Sequence, residues 1–590
     1  MRSVIINGEV SYSAIAQIIN SNVFEQILSE LISDSQERKN SLHSFFELFL
    51  KNTDEVDPVK KYDISAIIQL LLALTINPIE KIDGSPYYNF PKMGNRKDQL
   101  VKFIEGLFNL WRNKHRFMYK TDKYTSESFD RIFKQMLLVN TNSDLKNIVQ
   151  SMYRQILINI SDNRLKILRQ VPSSAQVGFM IDKPEIKESL KIKNAGWLYD
   201  MNFIWSIVFE PPVIFYTRSN TRKGLFKVYD QPILESIGLK NTEDWFVFPI
   251  HVASKFFLVV VNKEYLCHAA GLGNLFELAS FNTIENQKPD AIYIYGMEKD
   301  FFKDKEDVNG VIYREKDGMY VGIVGDDPSV DYFGYMKKMI LTLHNLIVID
   351  EGRLPVHGAF AEIKLRDGKK ANIMLMGDSG AGKSETLDAL NRLRDEVSEV
   401  NILIDDMGSF DIDEDGTVVA YGTETGAFVR LDDLQPGYAY SAMDRSIFMN
   451  PNEVNARVIV PYSNYGDIIK PTKVDYFFYA NNYDRIEDSN AIHFFNETDQ
   501  ALEVFSKGAR MAKGTTSEKG LSYSYFANPF GAIQRKEKHN DIAKKYMKHM
   551  IENNVRIGEL KTQLGIDGFE QQGPMIAAKA LLKLIEETEK

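Results

Sequence analysis

The chain reads as an α/β protein whose α/β part lies behind a mostly helical N-terminal extension. Three observations predict this. Apolar residues recur at helical spacing through roughly residues 1–200. From about Trp205 the texture changes to short β-branched and aromatic runs. Residues 371–390, ANIMLMGDSGAGKSETLDAL, then place Gly377, four residues, Gly382, Lys383 and Ser384 between an apolar run and a helix-forming run.

The first 200 residues justify a helical reading at 66–74, 100–111 and 129–138, where tryptophan and phenylalanine stripes fit a core face better than a binding surface. Short runs at 205–209, 213–216, 245–252, 256–261 and 291–295, separated by turn residues and charges, read as strands of a mixed domain. Past about Pro355 the order is strand, phosphate loop, helix, strand, acidic pair, several strands, and a helical part from Asn540 onward. At 590 residues and 67.6 kDa the chain exceeds one hydrophobic core, so we divide it into 1–200, 201–350 and 351–590.

Composition narrows the class. Hydrophobic residues make up 44% and charged residues 26%, with a net charge of −10, which gives no general reason to expect nucleic acid or an anionic membrane as partner. Cys267 is the only cysteine, so no intrachain disulfide is expected and a reducing, cytoplasmic location is the simplest reading. The N-terminal stretch lacks a continuous apolar h-region, and the run 64–76 is too short and interrupted to span a bilayer.

The loop carries the chemistry. Its glycines let successive backbone N–H groups turn toward a polyphosphate, so Gly377, Asp378, Ser379, Gly380, Ala381, Gly382, Lys383, Ser384 and Glu385 form the expected nucleotide cradle. Lys383 can reach the outer phosphates, and the Ser384 hydroxyl can hold Mg2+. About twenty residues on, Asn401-Ile-Leu-Ile-Asp-Asp406 is an apolar strand ending in two carboxylates, Asp405 and Asp406, suited to holding the metal that neutralises phosphates. Upstream lie Tyr332-Phe-Gly-Tyr-Met-Lys-Lys338 and His357 in Pro355-Val-His-Gly. Downstream lies Asn455-Ala-Arg457-Val-Ile-Val-Pro461.

In this order these segments resemble ATP-dependent phosphoenolpyruvate carboxykinase, over about residues 205–590. The resemblance implies carboxykinase-like substrate (201–350) and phosphate-loop (351–590) domains, with ATP, Mg2+ and Mn2+ as cofactors. Lys338, His357 and Asp406 would ligate manganese, while Ser384 and Asp405 would serve the nucleotide's magnesium. Arg457 and Tyr332 would contact oxaloacetate, as would Arg218 in Tyr216-Thr-Arg218-Ser-Asn-Thr-Arg222-Lys223. Residues 507–520 are similar to the family's mobile lid, and Arg556 matches an arginine near the nucleotide base. The implied reaction decarboxylates oxaloacetate to an enolate, which attacks the γ-phosphate; Lys383, Lys338, Arg457 and Asp405 would be the working residues. Lys338 can ligate a metal only as the neutral amine, which burial beside a dication would supply.

The loop itself, Gly-Asp-Ser-Gly-Ala-Gly-Lys-Ser-Glu, is closer to HPr kinase/phosphorylase, and His357-Gly358 ahead of it also matches that family. Met407-Gly408 follows Asp406 where carboxykinases commonly have Glu-His-Gly, and Tyr335 stands in place of an acidic residue. Two alternatives therefore stay open. One is a kinase of a protein hydroxyl or small alcohol with Asp405 or Asp406 as base; the other is a regulatory protein that binds nucleotide without turnover.

Overall fold

The computed structural model describes residues 2–38, 42–51, 55, 57, 59–85, 90–92, 96–161, 170–239, 241–431, 443–486, 490–512 and 520–587. Contacts divide the chain into two compact units, Met1–Asp182 with Ile204–Val213, and Lys183–Phe203 with Ile214–Lys590. Apart from 204–213, residues 201–350 and 351–590 lie together in the second unit. Among the described residues no helix is long and apolar enough to cross a membrane.

In the first unit, helix Ile64–Leu74 starts at Asp63, whose carboxylate accepts the Ala66 amide at 3.0 Å. It buries Ile67, Leu70, Leu71 and Leu74. Helix Lys97–Asn113 buries Leu100, Phe103, Ile104, Leu107, Phe108 and Trp111, the spacing of a single apolar face. A parallel sheet accompanies these helices: Ser3–Asn7 pairs His115–Thr121, which pairs Val177–Asp182. The unit is thus mixed α/β. Ser3–Asn7 and Val177–Asp182 are short apolar runs that periodicity alone does not separate from buried helix, and His115–Thr121 has no clean alternation, so the helical expectation missed them.

The stripe at 129–138 also departs from expectation. Helix Ser128–Ser161 turns its buried face through Leu138, Leu145, Val149, Met152, Ile156 and Ile160. Phe129 is 84% exposed, and Ile132, Phe133 and Met136 are more than half exposed. They project largely from the side of the helix opposite the buried Leu138.

The second unit holds one sheet in the spatial order Trp245–Val252, Lys255–Asn262, Ala291–Met297, Tyr320–Gly325, Val311–Arg314, Lys227–Tyr229. The sheet that positions the site runs Thr472–Lys473, Val418–Gly422, Met407–Ile412, Leu354–Leu365, Lys370–Met376, Tyr476–Asn481, Arg556–Lys561, Ile492–Phe494. Lys370–Met376, Tyr476–Asn481 and Arg556–Lys561 are parallel. One face is covered by Leu387, Leu390, Ala577, Ala578, Leu581 and Ile585. The other is covered by Phe505, Phe526, Ala543, Tyr546 and Met547. Both faces are therefore dry, as a parallel core requires, and the open ground lies beyond the carboxyl ends of the strands.

The long strand Leu354–Leu365 sets the place of the acidic turn. One edge pairs with Lys370–Met376. Its other edge pairs first with Met407–Ile412 and then with Val397–Ile404, so the Asp405-Asp406 turn between those strands falls beside His357 and Gly358.

Candidate active site

The candidate phosphate loop leaves strand Lys370–Met376 at its carboxyl end and enters helix Lys383–Arg392. Gly382, at φ +92°, sits against Thr562, where a side chain would be strained and would collide. The loop is tied down by residues just past the ends of the next two strands of the sheet, Tyr476–Asn481 and Arg556–Lys561. Thr562 Oγ1 donates to the Ala381 carbonyl at 2.7 Å, and Asn482 Nδ2 donates to that of Gly380 at 2.9 Å. Lys383 is buried, donating to the carbonyls of Gly377 at 2.6 Å and Asp378 at 3.1 Å. Burial lowers its pKa against the pull of Asp378, Asp406, Glu385 and Asp405. Ser384 is exposed on the helix's first turn, and Glu385 is partly buried.

The loop is joined through the backbone to His357, and His357's neighbour Gly358 to Asp406. The Gly377 amide donates to the His357 carbonyl at 3.1 Å, and the Gly358 amide donates to the Asp406 carbonyl at 3.0 Å. His357, Asp406 and Lys338 converge. His357 Nε2 lies 2.8 Å from Asp406 Oδ1, and Lys338 Nζ contacts Oδ2 of the same carboxylate. On its far side His357 Nδ1 meets the carbonyl of Ala527, which follows Phe526, both at positive φ. Burial opposes the charge on Asp406, but Lys337, Lys338 and His357 hold its pKa well below the carboxylate range. Burial, reinforced by Lys337, lowers the pKa of the Lys338 amine despite Asp406. Burial raises that of Asp405, with Lys337 opposing.

Lys337 was not singled out from the sequence. It is buried on helix Phe333–Asp350, with Nζ 2.9 Å from Asp406 Oδ2 and 2.7 Å from Glu424 Oε1. Asp406 and Glu424 raise its pKa against burial, and burial pushes the Glu424 carboxyl up to about 7. The adjacent Lys337-Lys338 pair was the available signal. Nothing in the sequence around Glu424 marks it.

A cationic corner borders this cluster. Tyr332 is buried, and burial raises its hydroxyl pKa against the pull of Arg457, Asn455 and Arg222. Gly334 makes room for the Tyr332 ring, which a side chain there would strike. Arg457 lies 5.4 Å over the Phe428 ring, and its buried Nε has no hydrogen-bond partner. Arg222 lies 5.3 Å from the Phe530 ring, which Lys338 Nζ also faces at 4.6 Å. Burial lowers the Arg222 pKa.

Arg218 is engaged elsewhere. Its Nε is 3.0 Å from Asp331 Oδ2 and Nη2 donates to Tyr265 Oη at 3.1 Å, while His268 Nε2 sits 2.9 Å from Asp331 Oδ1. Arg222, four residues on, is the arginine brought to Tyr332 and the Lys338 side of Phe530. Arg556 opens its strand level with Tyr476 and, through that strand, with Ile373, four positions before the level at which the loop begins. Its guanidinium stacks 3.6 Å over the Phe494 ring, and the loop instead meets Thr562 at the other end of the same strand. Within the lid-like stretch, Gly508 and Gly520 are described, whereas Gly514 lies in 513–519, outside the described residues. Arg510 there pairs with Asp378 at 2.9 Å.

No protein-family profile matches the chain, and no curated protein matches it.

Proposed function

We propose that the chain is an ATP-dependent phosphotransferase of the carboxykinase type, converting oxaloacetate and ATP to phosphoenolpyruvate, ADP and carbon dioxide. One observation carries the reading: Lys338 and His357, distant in sequence, meet on the two oxygens of Asp406, within electrostatic reach of Lys383.

The donor set suits a transition metal. With Nδ1–H donated to the Ala527 carbonyl, a neutral His357 presents a lone pair at Nε2 toward the Asp406 carboxylate, an opposition that only a proton or a cation relieves. Manganese held by Lys338, His357 and Asp406 would stabilise negative charge developing on the enolate oxygen. Arg457 and Arg222 would bind the carboxylates beside Tyr332, and Lys383 would exchange its loop carbonyls for the transferring phosphoryl group. Ser384 and Asp405 would serve the nucleotide's magnesium. We place the enzyme in a reducing compartment, the cytoplasm.

Purified protein given ATP, Mg2+, Mn2+ and oxaloacetate should release phosphoenolpyruvate. Absence of product under every metal condition overturns the reading.

A second reading, a kinase of a protein hydroxyl or small alcohol, draws support from Arg218 being held by Asp331 and Tyr265 and from the kinase-like loop sequence. It predicts ATP turnover without oxaloacetate and little effect of Arg457→Ala. Carboxykinase chemistry predicts at least about a tenfold rise in KM for oxaloacetate in the same variant, from one lost charge-assisted contact. ATP binding with no phosphoryl transfer to any acceptor would favour a regulatory nucleotide-binding role.

A further inference from the structure

We propose that Arg510 is a second phosphate-binding cation of the loop, held by Asp378 until a nucleoside triphosphate displaces the carboxylate. The proposal rests on the nucleotide-binding reading of 377–385 and adds a ligand to it. Arg510 lies on strand Ala509–Ala512, which pairs with Gly520–Tyr523. Its Nε is 2.9 Å from Asp378 Oδ2, and its Nη1 donates to the Ser379 carbonyl at 3.3 Å. The guanidinium therefore rests on the second and third residues of the phosphate loop. Both side chains are largely sheltered, at 13% and 19% exposure, so the pair is only partly screened by solvent.

The backbone under Arg510 is fixed independently of that ion pair. Asn482 Oδ1 accepts the Met511 amide at 2.8 Å, and its Nδ2 donates to the carbonyls of Met511 and Gly380, both at 2.9 Å. One amide side chain thus joins the strand to the loop, and the arginine stem stays over the cradle whatever its head group contacts. Asp378 is the unusual partner. A triphosphate in the loop brings several negative charges close to its carboxylate, which then opposes the ligand, while a guanidinium matches phosphate oxygens through parallel N–H donors. Exchange of Asp378 for phosphate relieves the repulsion and keeps Arg510 paired. Because the stem rises from beside the loop, the gain grows with the number of phosphates on the ligand.

Binding of ATP, ADP and AMP to the full chain, measured by titration calorimetry, tests this. Arg510→Ala should weaken ATP binding by about 10- to 100-fold, the range for a charge-assisted contact, and change AMP binding by less than about twofold. Arg510→Lys should fall between. Asp378→Asn keeps the acceptor for the Ser379 amide, which Oδ1 binds at 2.7 Å, and removes the charge, so it should tighten ATP binding several-fold. A folded Arg510→Ala protein that binds ATP as the parent does, or that loses ATP and AMP equally, overturns the proposal. So does an Asp378→Asn protein with unchanged or weaker ATP affinity, whatever the fate of the alanine variant. If the parent chain binds no nucleoside triphosphate, the loop's assignment fails first, which sets that outcome apart from failure of Arg510 alone.

Discussion

Nε2 of His357 stands 2.8 Å from Oδ1 of Asp406, although 49 residues of chain separate them. The contact arises from strand order: Leu354–Leu365 pairs with the strands on either side of the Asp405-Asp406 turn, and Nδ1 is engaged by the Ala527 carbonyl. A ring held at one nitrogen and aimed by the other is how a protein presents an imidazole to a metal.

His357→Ala and Asp406→Asn should each lower metal-dependent turnover by at least about 100-fold and weaken Mn2+ binding by about 10-fold or more. Manganese titration followed by electron paramagnetic resonance checks the binding. Retention of full Mn2+ affinity in both variants would remove the metal from this site.

Lys337 should matter to stability as well as to the site. Lys337→Met strips the buried carboxylates of Asp406 and Glu424 of a shared cation, a class of change that costs about 3–5 kcal/mol. Adding Glu424→Met should recover part of that loss, since one uncompensated acid disappears with it. Urea unfolding of the two single variants and the double variant measures the coupling.

The two arginines near the start of the second unit should separate by readout. Arg222→Ala should raise KM for the acceptor by about 10-fold or more while leaving the melting temperature nearly unchanged. Arg218→Ala should leave KM nearly unchanged and destabilise the fold by about 1–3 kcal/mol, because it takes a charged partner from the fully buried Asp331, which His268 also contacts. Steady-state kinetics and thermal unfolding of both variants decide the assignment.

Three buried histidines should make opposing contributions to the pH dependence of stability. Burial lowers His344 to about 3, aided by Arg353, and lowers His539 to about 4. Between those values and the unfolded pKa of 6.5 the unfolded chain binds more protons, so stability falls with falling pH by about 1.4 kcal/mol per unit for each ring. His268 has the opposite sign. Burial would lower it, but Cys267 and Asp331 raise it to about 9, so its contribution is complete below 6.5 and is lost as pH rises from there to 9. Urea midpoints from pH 5 to 9 trace both limbs, and His344→Leu should flatten the acid side.

The sequence alone marked the candidate phosphate loop, because its pattern is local: Gly377 through Ser384 are consecutive, and the structure sets a strand before them and a helix after. It also marked Lys338, His357 and Asp406 one at a time. Their meeting on a single carboxylate was decided by the pairing of Leu354–Leu365 with its neighbours, a long-range choice that no local pattern encodes. Tertiary packing likewise chose Arg222 over Arg218 for the corner by burying Asp331 as the latter's partner, and moved Arg556 away from the loop because register placed it at the opening of its strand. Glu424 was silent in the sequence, and Lys337 and Arg510 showed only as members of longer segments, since a charged residue shows its role only when the fold sets an opposite charge beside it and takes the water away.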